Sequence, residues 1–154
     1  MSIFHSMNTT ASALTAQRLR MDVISSNMAN AETTRGKLVN GEWEPYRRKS
    51  VVLTAQEGAG SFASQLNAAI GSSSKTAGNG VKVTSIKEDR ETNFKLSYDP
   101  TNPDADEDGY VKLPNVDSLQ EMTDLMSATR SYEANVTVFN ANKSMLMKAL
   151  EIGK

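Results

Sequence analysis

Residues 117–154 read DSLQEMTDLMSATRSYEANVTVFNANKSMLMKALEIGK, and this stretch decides the fold. Alternating steps of three and four from Met122 land on Leu125, Thr129, Tyr132, Val136, Phe139, Lys143, Leu146 and Leu150. Only Thr129 and Lys143 break an apolar seam, which is the spacing of one strand of a coiled coil. No Pro or Gly lies between Asp117 and Ile152, so the spacing predicts one helix over Ser118–Ile152. At about 1.5 Å per residue it is roughly 50 Å long, well beyond the usual globular helix. Asp117 or Ser118 is placed to cap its start. Ser118 with Glu121 fits a capping box, and Gly153 fits its end.

Ile3 to about Thr33 predicts a second helix. The same stepping gives Phe4, Met7, Ala11, Leu14, Arg18, Met21, Ser25 and Met28, and Leu19, Val23 and Ile24 widen the stripe. A stripe this wide faces more than one neighbour. The other positions hold small residues such as Ser12, Ala13, Ala16 and Ala29, which let neighbouring backbones approach closely. Asn27 and Asn30 fall near the helix end, where Asn bonds nearby backbone, and Gly36 breaks the helix.

Between the helices the pattern shortens. Lys37–Pro45 reads as loop. Tyr46–Thr54 reads as a strand that carries the basic cluster Arg47, Arg48 and Lys49. Residues 56–80 hold five of the nine glycines among Ser and Ala and read as a flexible insertion, with Phe62, Leu66 and Ile70 spaced for a short helix over 61–70. Val81–Lys87 and Asn93–Tyr98 alternate like strands, and the polar EDRET between them predicts a hairpin turn. Asp99–Asn115 is an acidic extended connection, kept from helix by Pro100, Pro103 and Pro114. The fold class is therefore mainly α: long terminal helices paired as a coiled-coil-like inner domain, with a small β-hairpin or extended subdomain between them.

Composition narrows function. The chain has 154 residues, net charge −1, one histidine and no cysteine. Nothing resembles a nucleic-acid-binding basic face, a thiolate zinc site, a histidine-based triad, a cleaved signal peptide or a membrane span. No enzyme, cofactor or metal site is expected. Asp104, Asp106, Asp108 and Gly109 match the first half of a calcium loop. The twelfth position is Asn115, which supplies no bidentate carboxylate, and the prolines forbid the entering helix. The segment is expected to be a solvated acidic turn; its charge, opposite to that of Arg47, Arg48 and Lys49, also suggests the hypothesis that it answers that cluster on a neighbouring molecule.

Several stretches carry a family signature. Ser12-Ala13-Leu14, Arg20 and SSNMANAETT (Asn27, Ala29, Asn30, Thr33), PYRRK at 45–49, YDPTNPDADEDGYVKLPNV at 98–116, Arg130-Ser-Tyr132-Glu133-Ala134-Asn135 and the terminal KALEIGK resemble the bacterial flagellar basal-body rod proteins, most closely a proximal-rod branch. Thr101-Asn102 and the long insertion depart from the family pattern. The resemblance implies that residues 1–34 and 117–154 form the helices of an inner rod domain, with 35–116 as linker and β subdomain outside. It implies a hollow, torque-transmitting shaft in the basal body, outside the cytoplasm. The implied partners are other rod proteins, copies of the chain itself, and the flagellar type III export apparatus during secretion. On this reading Leu14, Met21, Met28, Leu125, Tyr132, Val136, Phe139, Leu146 and Leu150 are interface residues, and Asn27, Asn30 and Asn135 are polar contacts between helices. Two other classes compete. One is a calcium-responsive helical adaptor; the other is an enzyme that cuts peptidoglycan, which would need a carboxylate site.

Overall fold

The structure, a computed structural model, describes residues 4–56, 66, 69–70 and 79–152. Helix α1 spans His5–Ala29, and helix α2 spans Ser118–Ile152. Three short strand pairs lie between them in sequence. These are β1 (Lys37–Val39) with β2 (Glu42–Glu44), β3 (Lys49–Ala55) with β4 (Val81–Glu88), and β5 (Lys95–Tyr98) with β6 (Tyr110–Leu113). The expected insertion and its short helix fall mostly outside the described residues, as does the Gly153 stop. There, Ile70 N–H donates to the Leu66 carbonyl at 2.9 Å, the bond of a helical turn.

The middle of the chain corrects the sequence reading in three places. Residues 37–44 form a strand pair rather than loop. The Asn40-Gly41 dipeptide takes positive φ at both residues, 53° and 91°, and closes a two-residue hairpin that pairs Val39 with Glu42. The expected hairpin of 81–87 with 93–98 does not form. Strand β4 pairs back to β3, where Asp89 N–H donates to the Arg48 carbonyl and Gln56 N–H to that of Gly80, both at 2.8 Å. Strand β5 pairs with β6 inside the segment expected to be an extended connection, in register Lys95–Leu113 through Tyr98–Tyr110. Asp89 makes the turn a terminator rather than a hairpin. Its carboxylate accepts from the N–H groups of Glu91 and Thr92 and from the Thr92 hydroxyl, an Asx-type turn that directs the chain away from β4.

At the start of α2 one of the two expected caps forms, but the capping box does not. Asp117 is the capping residue, and its Oδ1 accepts from Leu119 N–H at 3.0 Å and Gln120 N–H at 3.4 Å. Glu121 does not complete a box, because its carboxylate is drawn elsewhere, as described below.

The chain forms two compact units. The first takes residues 1–18, 52–85 and 129–154, and the second takes 19–51 and 86–128. In the first, Ala16 and Thr10 are buried. Ser12 Oγ donates to the Thr9 carbonyl at 2.7 Å and accepts from Val81 N–H at 3.1 Å. Gly80 lies beside it at φ +103°, and a Cβ there would come within 2.3 Å of Ser12 Oγ. The small side chain at 12 thus admits the start of a strand. In the second unit, Val23, Ile24, Val111, Val116 and Ala128 form the apolar core. Polar side chains share that core, and they define its most organised site.

Candidate functional site: a buried polar junction and two apolar helix faces

Asn27 is 1% exposed and uses its full hydrogen-bonding capacity. Its Nδ2 donates to the Lys49 carbonyl at 2.8 Å and to Glu121 Oε2 at 3.0 Å. Its Oδ1 accepts from Lys49 N–H at 2.9 Å and from the Tyr46 hydroxyl at 3.0 Å. One amide therefore pairs with the edge of β3 as a strand would, and ties α1 to the first turn of α2.

Glu121 is equally buried. Arg48 Nε donates to its Oε1 at 2.6 Å, so both carboxylate oxygens are engaged. Arg48 Nη2 also lies 3.4 Å from Asp124 Oδ2, and Arg20 Nη2 lies 3.3 Å from Asp124 Oδ1. A carboxylate removed from water needs an opposite charge and filled lone pairs to be tolerated, and Glu121 has both.

Asn115 extends the junction. Its Oδ1 accepts from Arg48 N–H at 2.8 Å, and its Nδ2 donates to the carbonyls of Asp89 and Thr92 at 3.1 and 3.2 Å. The residue that fails as a calcium ligand is a buried bolt between the β3 start and the 89–92 turn. A sequence signal existed: an Asn among Pro114 and Val116, all three buried, must find partners inside the fold.

The motifs that carry the family resemblance meet here. SSNMAN supplies Asn27, PYRRK supplies Tyr46, Arg48 and Lys49, and the end of the 98–116 stretch supplies Asn115. Glu121, given only a capping role from sequence, sits at the centre. The basic cluster is accordingly not an outward trio. Arg48 is consumed within the junction. Arg47 stacks 4.3 Å from the Phe94 ring centroid and pairs loosely with Glu44, and the Lys49 ammonium lies 5.3 Å over Tyr46. The close approach of chain segments beside Tyr46 requires Gly36, where a Cβ would lie 2.6 Å from Tyr46 N.

The acidic segment is partly consumed as well. Asp104 accepts from Thr34 Oγ1 at 2.8 Å and from Arg35 through Nε and Nη2. The hydrogen bonds from Arg35, then Thr34, hold its carboxyl below the usual range, and Arg35 is raised in turn. Among the described residues no group of three His, Cys, Asp or Glu is placed to hold a metal ion, and no helix is long and apolar enough to cross a membrane.

The expected interface residues are distributed as follows. Leu14, Met21 and Met28 on α1 are half-buried, as are Leu125, Tyr132, Val136, Phe139 and Leu146 on α2. Leu150 is 76% exposed and Met122, at the start of the seam, 51%. Asn27 bonds across to α2, whereas Asn30 and Asn135 spend their amides on carbonyls of their own helix, Ser26 and Ser131, both at 2.8 Å. Thr33 adds a hydroxyl bond to Asn30 Oδ1, so the Asn30–Thr33 pair finishes α1. Helix α2 carries a second apolar stripe missed in sequence. Val138, Met145 and Ile152 recur every seven residues, away from the seam, and all are exposed. Leu119 and Met126 repeat that spacing near the start, also exposed.

Comparison with known proteins follows the same geography. A family described as "Flagella basal body rod protein" matches residues 7–36, and one described as "Flagellar basal body rod FlgEFG protein C-terminal" matches residues 107–152. Both ends of the chain are thus those of rod proteins of the flagellar basal body. Over its whole length the chain is 65% identical to the flagellar basal-body rod protein FlgC of Bacillus subtilis, covering all of both chains. It is 44% identical to FlgC of Escherichia coli O6:H1, again over all of both, and 42% identical to FlgC of Borreliella burgdorferi, over 99% of this chain and 98% of that one. The chain belongs to the FlgC family of flagellar basal-body rod proteins, and it is a structural subunit of the rod.

Proposed function

We propose that the chain serves the rod mechanically, through the faces of α1 and α2, and that the buried polar junction fixes the end of α1 to the first turn of α2. The observation that carries this reading is the pair of apolar stripes on α2. A helix that shows Leu, Val and Met on two faces needs covering on both, and burying such a side chain contributes about 1.5–3 kcal/mol. Neighbouring helices of other rod proteins and of other copies supply that cover. Residues 1–34 and 117–154 then form the inner, bore-lining layer of a hollow shaft that transmits torque, with coiled-coil-like pairing along the Leu125–Leu146 seam. Leu14, Met21, Met28, Leu125, Tyr132, Val136, Phe139, Leu146 and Leu150 are the apolar contacts. Asn27 acts from within the junction, and Asn30 and Asn135 contribute at the helix surfaces.

The subunit works outside the cytoplasm, in the periplasmic part of the basal body, and reaches it through the flagellar export apparatus. Before assembly, the ends of both helices are frayed, because an uncovered seam does not offset the entropy of ordering. The calcium-adaptor reading has no observation behind it, since Asp104 is already committed to Arg35 and Thr34.

The test is a charge placed on each stripe. Phe139→Asp on the seam and Met145→Asp on the second stripe are expected to abolish incorporation into basal bodies and motility, while Trp43 fluorescence of the purified chain stays that of the wild type. Normal swimming by either variant refutes the two-faced reading.

A further inference from the structure

A cleft of about 380 Å³ on one side of the β1–β2 hairpin is lined by Lys37, Arg47, Lys49 and Arg90, with Glu44 and Glu88. Lys87 and Ile86 line its continuation. Five cations against two anions leave a net charge of +3. The two anions are already answered, Glu44 by Arg47 at 3.7 Å and Glu88 by Arg90 at 3.3 Å. Lys37 and Lys87 have no ion-pair partner among the described residues, and Lys49 has only the Tyr46 ring.

The complementary surface lies on the same compact unit. The turn between β5 and β6 presents Asp106, Glu107 and Asp108, all exposed. Their carboxylates have no partner among the described residues, unlike Asp104. The tip is held in shape by its own backbone: Asp106 N–H donates to the Tyr110 carbonyl at 2.9 Å, Gly109 N–H donates to that of Asp106 at 2.8 Å, and Gly109 sits at φ +80°. Three free carboxylates on a formed tip match three uncompensated cations in a formed cleft.

We propose that the acidic tip of one copy of this chain seats in the basic cleft of the next. Cleft and tip are different surfaces, so the contact is heterologous and propagates instead of closing into a dimer, as a helical array requires. It deepens the rod reading, on which it rests, by naming the contact between copies outside the helices. Surface ion pairs are individually weak, so this contact sets register and orientation while the helices supply the cohesion.

The chain contains no cysteine, which permits a clean test in cells that make the variant as their only copy. Lys37→Glu with Lys87→Glu is expected to lower the amount of chain in purified basal bodies about tenfold, the scale of two reversed surface pairs. Asp106→Lys with Asp108→Lys is expected to do the same, and all four together to restore most of the loss. Ile86→Cys with Glu107→Cys, which leaves those four charges in place, is expected to give disulfide-linked ladders longer than dimers. Either reversal being silent, the fourfold variant being as poor as its parents, or an absence of ladders in motile cells overturns the proposal. Phe139→Asp separates the two ideas. If it blocks incorporation while the charge variants do nothing, the rod reading stands and the cleft contact falls. If the wild-type chain is absent from basal bodies, both fall.

Discussion

Asn27→Asp changes one NH₂ group to an oxygen and leaves shape almost untouched, so its effect isolates the polar junction. The new oxygen replaces a donor 3.0 Å from Glu121 Oε2 and 2.8 Å from the Lys49 carbonyl. Two like charges at that separation repel by about 5 kcal/mol at an effective dielectric of about 20. The protein has a cheaper escape: the introduced carboxyl takes a proton. From a pKa near 4, that costs about 4 kcal/mol at pH 7 and about 1.5 kcal/mol at pH 5. A protonated Asp keeps one donor where Asn had two, so one net hydrogen bond is lost, about 1 kcal/mol. The expected destabilisation is therefore about 5 kcal/mol at pH 7, shrinking to about 2–3 kcal/mol at pH 5. The sign follows from linkage: the carboxyl has a higher pKa folded than unfolded, so its penalty grows as pH rises above the unfolded value. Urea unfolding of the full chain, followed through Trp43, the single tryptophan, reads the difference. Amide exchange at Lys49, whose N–H is bonded to Asn27 Oδ1, reads it locally. The control is Asn30→Asp, whose amide serves only the end of α1 and whose cost is expected to stay near 1 kcal/mol. A deficit for Asn27→Asp below about 1 kcal/mol at pH 7, or one that is flat between pH 7 and 5, refutes the junction as described.

Two further outcomes are expected. Gly36→Ala forces a Cβ against Tyr46 N and Cα, backbone atoms that cannot move aside, and should destabilise the second unit by about 1–3 kcal/mol, measured by the same urea transition. In acid, Asp104 and Asp89 are both held below the ordinary carboxyl value, Asp104 by Arg35 and then Thr34, Asp89 by the backbone and then the hydroxyl of Thr92. Their contributions are present above the unfolded pKa of about 3.8 and vanish as pH falls through the lower folded values. Asp104→Asn should therefore be less stable than wild type at pH 7, with the gap narrowing as pH falls below the unfolded value of about 3.8; a gap that does not narrow in acid contradicts the assignment.

The sequence by itself determined the two long helices, their positions at the chain ends and the family, because these rest on signals contained in a few turns of chain. A break-free run with apolar residues every three or four positions has no other regular way to hide them, and the end motifs need no partner to be read. Even the Asn40-Gly41 hairpin was written locally, in a dipeptide that tolerates positive φ at both positions. What only the tertiary structure decided was which distant groups meet. Strand β4 could alternate toward either neighbour, and pairing with β3 won because the Asp89 turn leads the chain away from it. Glu121 fits a capping box from three residues away. The half-buried Arg48 and the buried Asn27, both more than 70 positions distant in sequence, displace that bond, since a carboxylate leaving water gains more from a charge and a second donor than from one exposed backbone N–H. The destinations of Asn27, Asn115 and Arg48 were illegible for the same reason. A polar residue shows in sequence that it needs a partner, and folding alone chooses which.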